Sequence, residues 1–322
     1  MDQASEPASA AGGRFARWFA PALAHNQLWR AVAGLIALHV IAMLWSWGED
    51  LAVLQAGALS GMDDAQLAAL YDDMYVGETA PGLFLLLLNF GGLWLGTWIV
   101  LRVLHDRRLA TLFGPSGRLK LHEFAAGAMI AAGFYGFGFV GILFGMDSPF
   151  DPSGIEFGTW LMLLPPLAAL TFLQAAGEEV VWRGYLTQQL AARFASPVAW
   201  WFVPSLLFGL THFGYSYISL EFGIYYVCST TLFGLAMTVT VVRTGGLAAA
   251  MGLHTGYNLI FSALAGYSDL GSAANLWVTP VETATDWLAL VWEVGLLAFV
   301  ASPLAPFPKE TALFGAARRA SR

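Results

Sequence analysis

The feature that most constrains this chain is the length of its apolar runs. Each extends for about 18–25 residues, which as a helix crosses ~30 Å of hydrocarbon. In hydrocarbon every backbone N–H and C=O must be satisfied within the segment, so such runs are helices. A membrane β-barrel would show alternating segments of about 10 residues instead, and the chain has none. The residue types agree: 57% are hydrophobic and only 11% are charged, against roughly 25% charged in a soluble domain. The expectation is an all-α fold, a polytopic transmembrane helical bundle in a single domain.

The runs place spans at 29–47, 82–104, 123–146, 158–187, 197–215, 220–242, 245–266 and 286–304. Their connections can be tested by the tendency of Lys and Arg to stay on the cytoplasmic side. Arg14, Arg17 and Arg30 precede the first span, and only acids follow it, from Glu49 and Asp50 to Glu78. Arg107, Arg108, Arg118 and Lys120 follow the second; Asp147, Asp151 and Glu156 follow the third; Arg183 and Arg193 follow the fourth. Glu221 follows the fifth, Arg243 the sixth, and Asp269, Glu282 and Asp286 the seventh. The tail holds Lys309, Arg318, Arg319 and Arg322. Bases follow every even-numbered span and no odd one, which predicts eight spans with both termini in the cytoplasm. Residues 1–27 then read as a mobile cytoplasmic tail without a signal peptide, 28–304 as the transmembrane domain, and 305–322 as a cytoplasmic tail. The expected location is multi-pass in a bacterial inner membrane, with lipid as a partner.

Net charge is −7 with no basic block, which argues against nucleic acid. The single cysteine, Cys228, leaves no intrachain disulfide and no thiolate cluster for a metal. The run Gly133, Gly136, Gly138, Gly141 and Gly145 predicts close helix packing, and the stretch from Met62 to Asp73 a short surface helix.

An ionisable group at bilayer depth costs at least a few kcal/mol and needs a partner or a task. Glu178 and Glu179 interrupt an apolar helix together with Arg183. Glu179 and Arg183 are one turn apart on one face and can neutralise each other. Glu178 is rotated about 100° from that face, so one carboxylate is structural and the other is reactive. The bland alternative is a solvated helix end. Pro165-Pro166, a helix breaker, predicts that the span proper starts after it and carries Glu178 to mid-depth. His212 closes an apolar helix that also carries Phe208. His254 and Asn258 share one face of another. Singly, each of these is more often a packing residue. Together they supply a base, a proton-sharing helper and oxyanion donors, the requirements of amide hydrolysis.

The order Glu-Glu-x-x-x-Arg, Phe-x-x-x-His, His-x-x-x-Asn on successive spans resembles the CPBP family. That family comprises CAAX prenyl endopeptidases and bacteriocin-processing or immunity proteins, also called Abi proteins. The likeness covers roughly 165–265, within a protease-like core at 158–266. It implies an intramembrane endopeptidase acting on a protein or peptide substrate. Glu178 would activate water with His212 beside it, His254 and Asn258 would hold the oxyanion, and Glu179, Arg183 and Phe208 would support the site. The family's description as metalloproteases implies a zinc alternative on Glu178, His212 and His254. A metal-free mechanism without cofactor is favoured, because the chain has no HExxH helix and no cysteine ligand. If Glu178 sits at the cytoplasmic end and His212 at the outer end, the two cannot meet. The resemblance therefore requires the fourth helix to continue past Arg183 and the fifth to be tilted, offset or re-entrant.

Two other functions use the same residues. One is a non-catalytic immunity or partner-binding membrane protein held together by the cluster. The other is a proton-coupled transporter, less favoured because the inverted repeats and broken helices of transporters are not seen. His39, Asn89 and Glu293 lie in spans outside the motifs. Hydrogen-bonded helix packing is expected for the first two, and a structural partner for Glu293.

Overall fold

The computed structural model describes residues 13–143, 148–268, 270–281, 285 and 287–308. Of the features above, the first 12 residues, Gly145, Asp147, Asp269, Glu282, Asp286, Lys309 and the three C-terminal arginines lie outside the described residues. The chain is mostly helical. Among the described residues, five helices are long and apolar enough to cross a membrane: Leu28–Leu59, Ala80–His105, Leu121–Gly141, Phe157–Arg193 and Leu220–Thr244. The other expected spans are shorter helical segments.

The helices are α1 (Arg14–Phe19), α2 (Leu28–Leu59), α3 (Asp64–Val76), α4 (Ala80–Leu88), α5 (Gly91–His105), α6 (Leu121–Ala131) and α7 (Phe137–Leu143). They continue as α8 (Phe157–Glu179), α9 (Thr187–Arg193), α10 (Val203–Thr211), α11 (Leu220–Thr244), α12 (Ala248–Ala263) and α13 (Leu290–Ala301). π-helical turns join α6 to α7 and α8 to α9. Helix α3 is the acidic surface helix. Asp63 accepts from the Gln66 N–H while the Gln66 side chain accepts from the Asp63 N–H, a reciprocal cap that fixes its start. Helix α11 starts on the Ser219 hydroxyl, which accepts from the Phe222 N–H, and ends on Gly245 at φ 71°. That left-handed conformation suits glycine.

Helix α8 packs on α12, α12 on α6, and α2 on α5. Small residues make the last two contacts: a side chain at Gly127 or Gly252 would collide with the backbone of the facing helix, as would one at Gly96. The expected glycine run does not do this. Nothing lies within 4 Å of a Cβ placed at Gly133, Gly136 or Gly141, and one at Gly138 would meet only the Trp292 ring at 3.4 Å; it is Tyr135 of this stretch that packs on α12, against Tyr257. Gly252→Leu should therefore cost on the order of 1–3 kcal/mol by overpacking, read as a lowered melting temperature in detergent. Gly133→Leu should melt like the parent.

Five other expectations are corrected. Residues 14–25 are not a mobile tail: Phe15, Trp18 and Phe19 are buried. The Trp18 indole donates to the Leu112 carbonyl at 2.8 Å, and Gln188 donates to the Trp18 carbonyl at 2.7 Å. The start of the C-terminal tail is also folded in. Ala305 and Phe307 are buried, and the Arg243 guanidinium donates to the carbonyls of Val300, Ser302, Phe307 and Pro308. Arg107, Arg183 and Arg243 are thus internal rather than loop charges, which removes them from the charge alternation. The helix does not restart after Pro165-Pro166. It runs through them for 37 residues, from Phe157 to Arg193, since prolines are tolerated where neighbouring helices support the freed backbone. Lastly, the fold is not purely helical. Asp151–Pro152 pairs antiparallel with Trp277–Thr279, which pairs parallel with Ala265–Tyr267. This small sheet ties the segment before α8 to the segments after α12.

Candidate active site

Helices α8 and α12 run antiparallel, and their contact is a two-rung ladder of polar side chains. Residues four apart on one helix lie one turn apart on one face. Gln174 and Glu178 make such a pair on α8, and His254 and Asn258 make the opposing pair on α12. One rung joins Glu178 Oε2 to His254 Nε2 at 3.4 Å. The other joins Asn258 Nδ2 to Gln174 Oε1 at 2.6 Å. Gln174 Nε2 also donates to Glu178 Oε2 at 2.9 Å, linking the rungs along α8.

Glu179 faces the other way and is engaged through one oxygen. Its Oε1 accepts from Arg183 Nη1 at 3.0 Å and from His254 Nδ1 at 2.8 Å. The Arg183 guanidinium lies over the Phe208 ring, 4.3 Å from its centre, close enough for a cation–π contact. A carboxylate paired with arginine only accepts hydrogen bonds, so His254 carries a proton on Nδ1 and turns Nε2 to Glu178. The result is a carboxylate–imidazole–carboxylate chain from Glu179 through His254 to Glu178. The two acids also differ in access: the Glu178 side chain is 11% exposed and that of Glu179 0%. Only the first can meet water.

His212 stands apart from the position that the resemblance implies for it. It follows the last residue of α10, and its Nδ1 turns back to the Phe208 carbonyl at 2.9 Å. Its ring packs edge-on against Phe208 at 4.8 Å and at a tilt against Tyr226 at 5.6 Å. No hydrogen bond or ion pair joins it to Glu178 among the described residues. The imidazole beside Glu178 is that of His254. Phe208 bridges the two histidines, touching His212 on one side and His254 on the other at 6.0 Å. The two thus border one site, because the long helix does continue past Arg183 as the motif order requires.

The zinc alternative needs three donors on one point. Among the described residues no three His, Cys, Asp or Glu side chains converge in that way. Glu178 and His254 approach each other at 3.4 Å.

Gln174 is the site residue that the motifs omit. Its signal was present in the sequence: a carboxamide one turn before Glu178 in an apolar helix is a polar exception of the same kind. Phe233 is a second, packed 5.1 Å from the His254 ring, and nothing distinguishes it from other core aromatics in the sequence. Outside the site, Asn89 donates to the Ser46 hydroxyl at 2.8 Å, the expected helix-to-helix bond. Glu293 accepts from the Tyr135 phenol at 2.8 Å, a structural partner as expected. His39 instead bonds its own helix, at the Leu35 carbonyl.

Residues 160–260 match the family model described as Rce1-like, type II CAAX prenyl endopeptidase Rce1-like. The match bears out the resemblance to the CPBP family over the region that carries all three motifs. A curated protein of Bacillus subtilis (strain 168), named "Uncharacterized protein YyaK", is 23% identical over 256 residues, covering 74% of this chain and 78% of that protein. No solved structure matches the chain.

Proposed function

We propose that this protein is an integral membrane endopeptidase that hydrolyses a peptide bond with water activated by Glu178. The observation that carries the reading is the Glu179–His254–Glu178 chain: a carboxylate with limited water access, backed by an imidazole whose other nitrogen is fixed by an ion-paired acid. The same logic orients the histidine of a serine-protease triad. Glu178 takes a proton from water as the oxygen bonds to the scissile carbonyl carbon, and Glu178 Oε2 and His254 Nε2 share that proton. Asn258, with one N–H spent on Gln174, offers the other to the developing oxyanion. The intermediate collapses with cleavage of the C–N bond, and the shared proton passes to the leaving amine. His254 thus takes the proton-sharing part that the resemblance gives to His212, and His212 becomes a wall of the site.

Among the described residues all eight apolar runs are mainly helical, and many large apolar side chains on α2 face outward, including Val32, Ile36, Met43 and Leu51. Both facts support a multi-pass helical membrane protein; eight crossings with cytoplasmic termini in a bacterial inner membrane remain part of the proposal. The family's CAAX description offers one candidate substrate, a prenylated C-terminal tail, and an unmodified membrane peptide is the other. The test compares peptide termini in membranes of cells producing the wild-type chain or Glu178→Gln. New termini confined to the wild type are expected. Identical termini in both would favour the non-catalytic immunity or partner-binding reading, and pH-dependent solute flux in proteoliposomes would favour a transporter. Chelation is the second test: activity should survive it, whereas loss on chelation with recovery on added zinc would overturn the metal-free mechanism.

A further inference from the structure

We propose that Gln174 is a positioning residue that sets the Glu178 carboxylate and the Asn258 carboxamide in fixed relation across the α8–α12 contact. The inference rests on the reading of Glu178 as the base and concerns a residue outside the three motifs.

Gln174 is buried and uses both ends of its carboxamide. Its oxygen accepts from Asn258 at 2.6 Å and its nitrogen donates to Glu178 at 2.9 Å. The bond to Asn258 has a directional consequence. The Asn258 amide is planar with two N–H donors, so committing one to Gln174 fixes the plane and the aim of the other. The bond to Glu178 acts likewise on the carboxylate. Glu178 Oε2 is held between Gln174 and His254, which fixes the plane of the carboxylate. A single side chain thereby couples the group that activates water to the group proposed to receive the oxyanion, one helical turn away.

Side-chain length matters too. Gln174 and Asn258 together span the gap between two helix backbones. Shortening either leaves the bridge open, and exchanging them keeps the combined reach. A residue that only packs two helices would not show that dependence. Loss of aim should appear in kcat and not in KM, because the bonds orient reacting groups rather than hold substrate.

The full-length protein in liposomes is tested with a quenched peptide built on the bond found cleaved in the terminus comparison. Near-isosteric Gln174→Met and the shorter Gln174→Asn should each lower kcat by about 30-fold, with KM within about twofold. Gln174→Asn combined with Asn258→Gln should recover to within about threefold of the parent. A second readout needs no substrate. At acidic pH the infrared C=O stretch of the Glu178 carboxyl is identified by its loss in Glu178→Gln. It should move to higher wavenumber in Gln174→Met and Gln174→Asn and return in the exchanged pair. An unmoved band in Gln174→Met, or an exchanged pair as slow as the single variants, overturns the proposal. If the band behaves as expected while the wild type cleaves nothing, the protease reading fails and the positioning contact stands.

Discussion

Replacing Arg183 with leucine should deplete the folded protein rather than merely slow it. Its guanidinium is wholly buried, bonded to Glu179 at 3.0 Å and seated 4.3 Å over Phe208. Leucine would leave the Glu179 charge in the core with only the His254 N–H. Breaking one side of a buried pair costs about 3–5 kcal/mol, a large part of the roughly 5–15 kcal/mol that holds an ordinary domain. Replacing both partners, as Glu179→Gln with Arg183→Met, should recover much of that loss, since a neutral pair has no stranded charge. The carboxamide introduced by Glu179→Gln would also keep an oxygen for His254. Melting in detergent and the monodisperse fraction on gel filtration measure both effects. A wild-type melting temperature for Arg183→Leu would contradict the placement of the pair.

Glu178→Gln should do the opposite, leaving the fold intact and removing turnover. The substitution is isosteric, and its oxygen can still accept from Gln174, so the α8–α12 contact survives. It cannot take a proton from water. Loss of a general base typically costs about 10²–10⁴ in rate. The neighbours should follow the observed geometry. His254→Ala removes the only imidazole at Glu178 among the described residues and should approach the same loss. Asn258→Ala removes one oxyanion donor and should cost on the order of 10²–10³. His212→Ala should cost less than His254→Ala, because His212 Nδ1 is committed to Phe208 and the ring to Tyr226. The reverse order would restore to His212 the part that the family resemblance implies. Initial rates on one cleaved peptide decide between them.

The helical bundle and the motif residues were legible because both rest on local rules. Apolar length dictates helix, and a charge in hydrocarbon demands a partner. Helical rotation alone separated Glu178 from the Glu179–Arg183 pair. What was not legible depends on contacts across the chain. Periodicity does not reveal that Trp18 reaches Leu112, or that Arg243 binds the carbonyls around Phe307, so the first segment read as mobile and the last as a tail outside the bundle. The glycine run looked like a packing face because spacing does not say which glycines meet a neighbouring backbone, as Gly127 and Gly252 do and Gly133 does not. Arg107 and Arg243 read as loop charges because burial at a helix end leaves no trace in the order of residues. The part played by His254 needed three dimensions too: only the antiparallel register of α8 and α12 sets it between two acids and opposite Glu178.

The central claim is that Glu178 delivers water to a peptide bond. It is tested most directly by incubating the reconstituted protein and its cleaved peptide in ¹⁸O-labelled water. Mass spectrometry then reads the new carboxyl terminus. One ¹⁸O atom per cleavage is expected with the wild type, in the presence of chelator, and none above background with Glu178→Gln. Equal incorporation by the Glu178→Gln variant would contradict the claim.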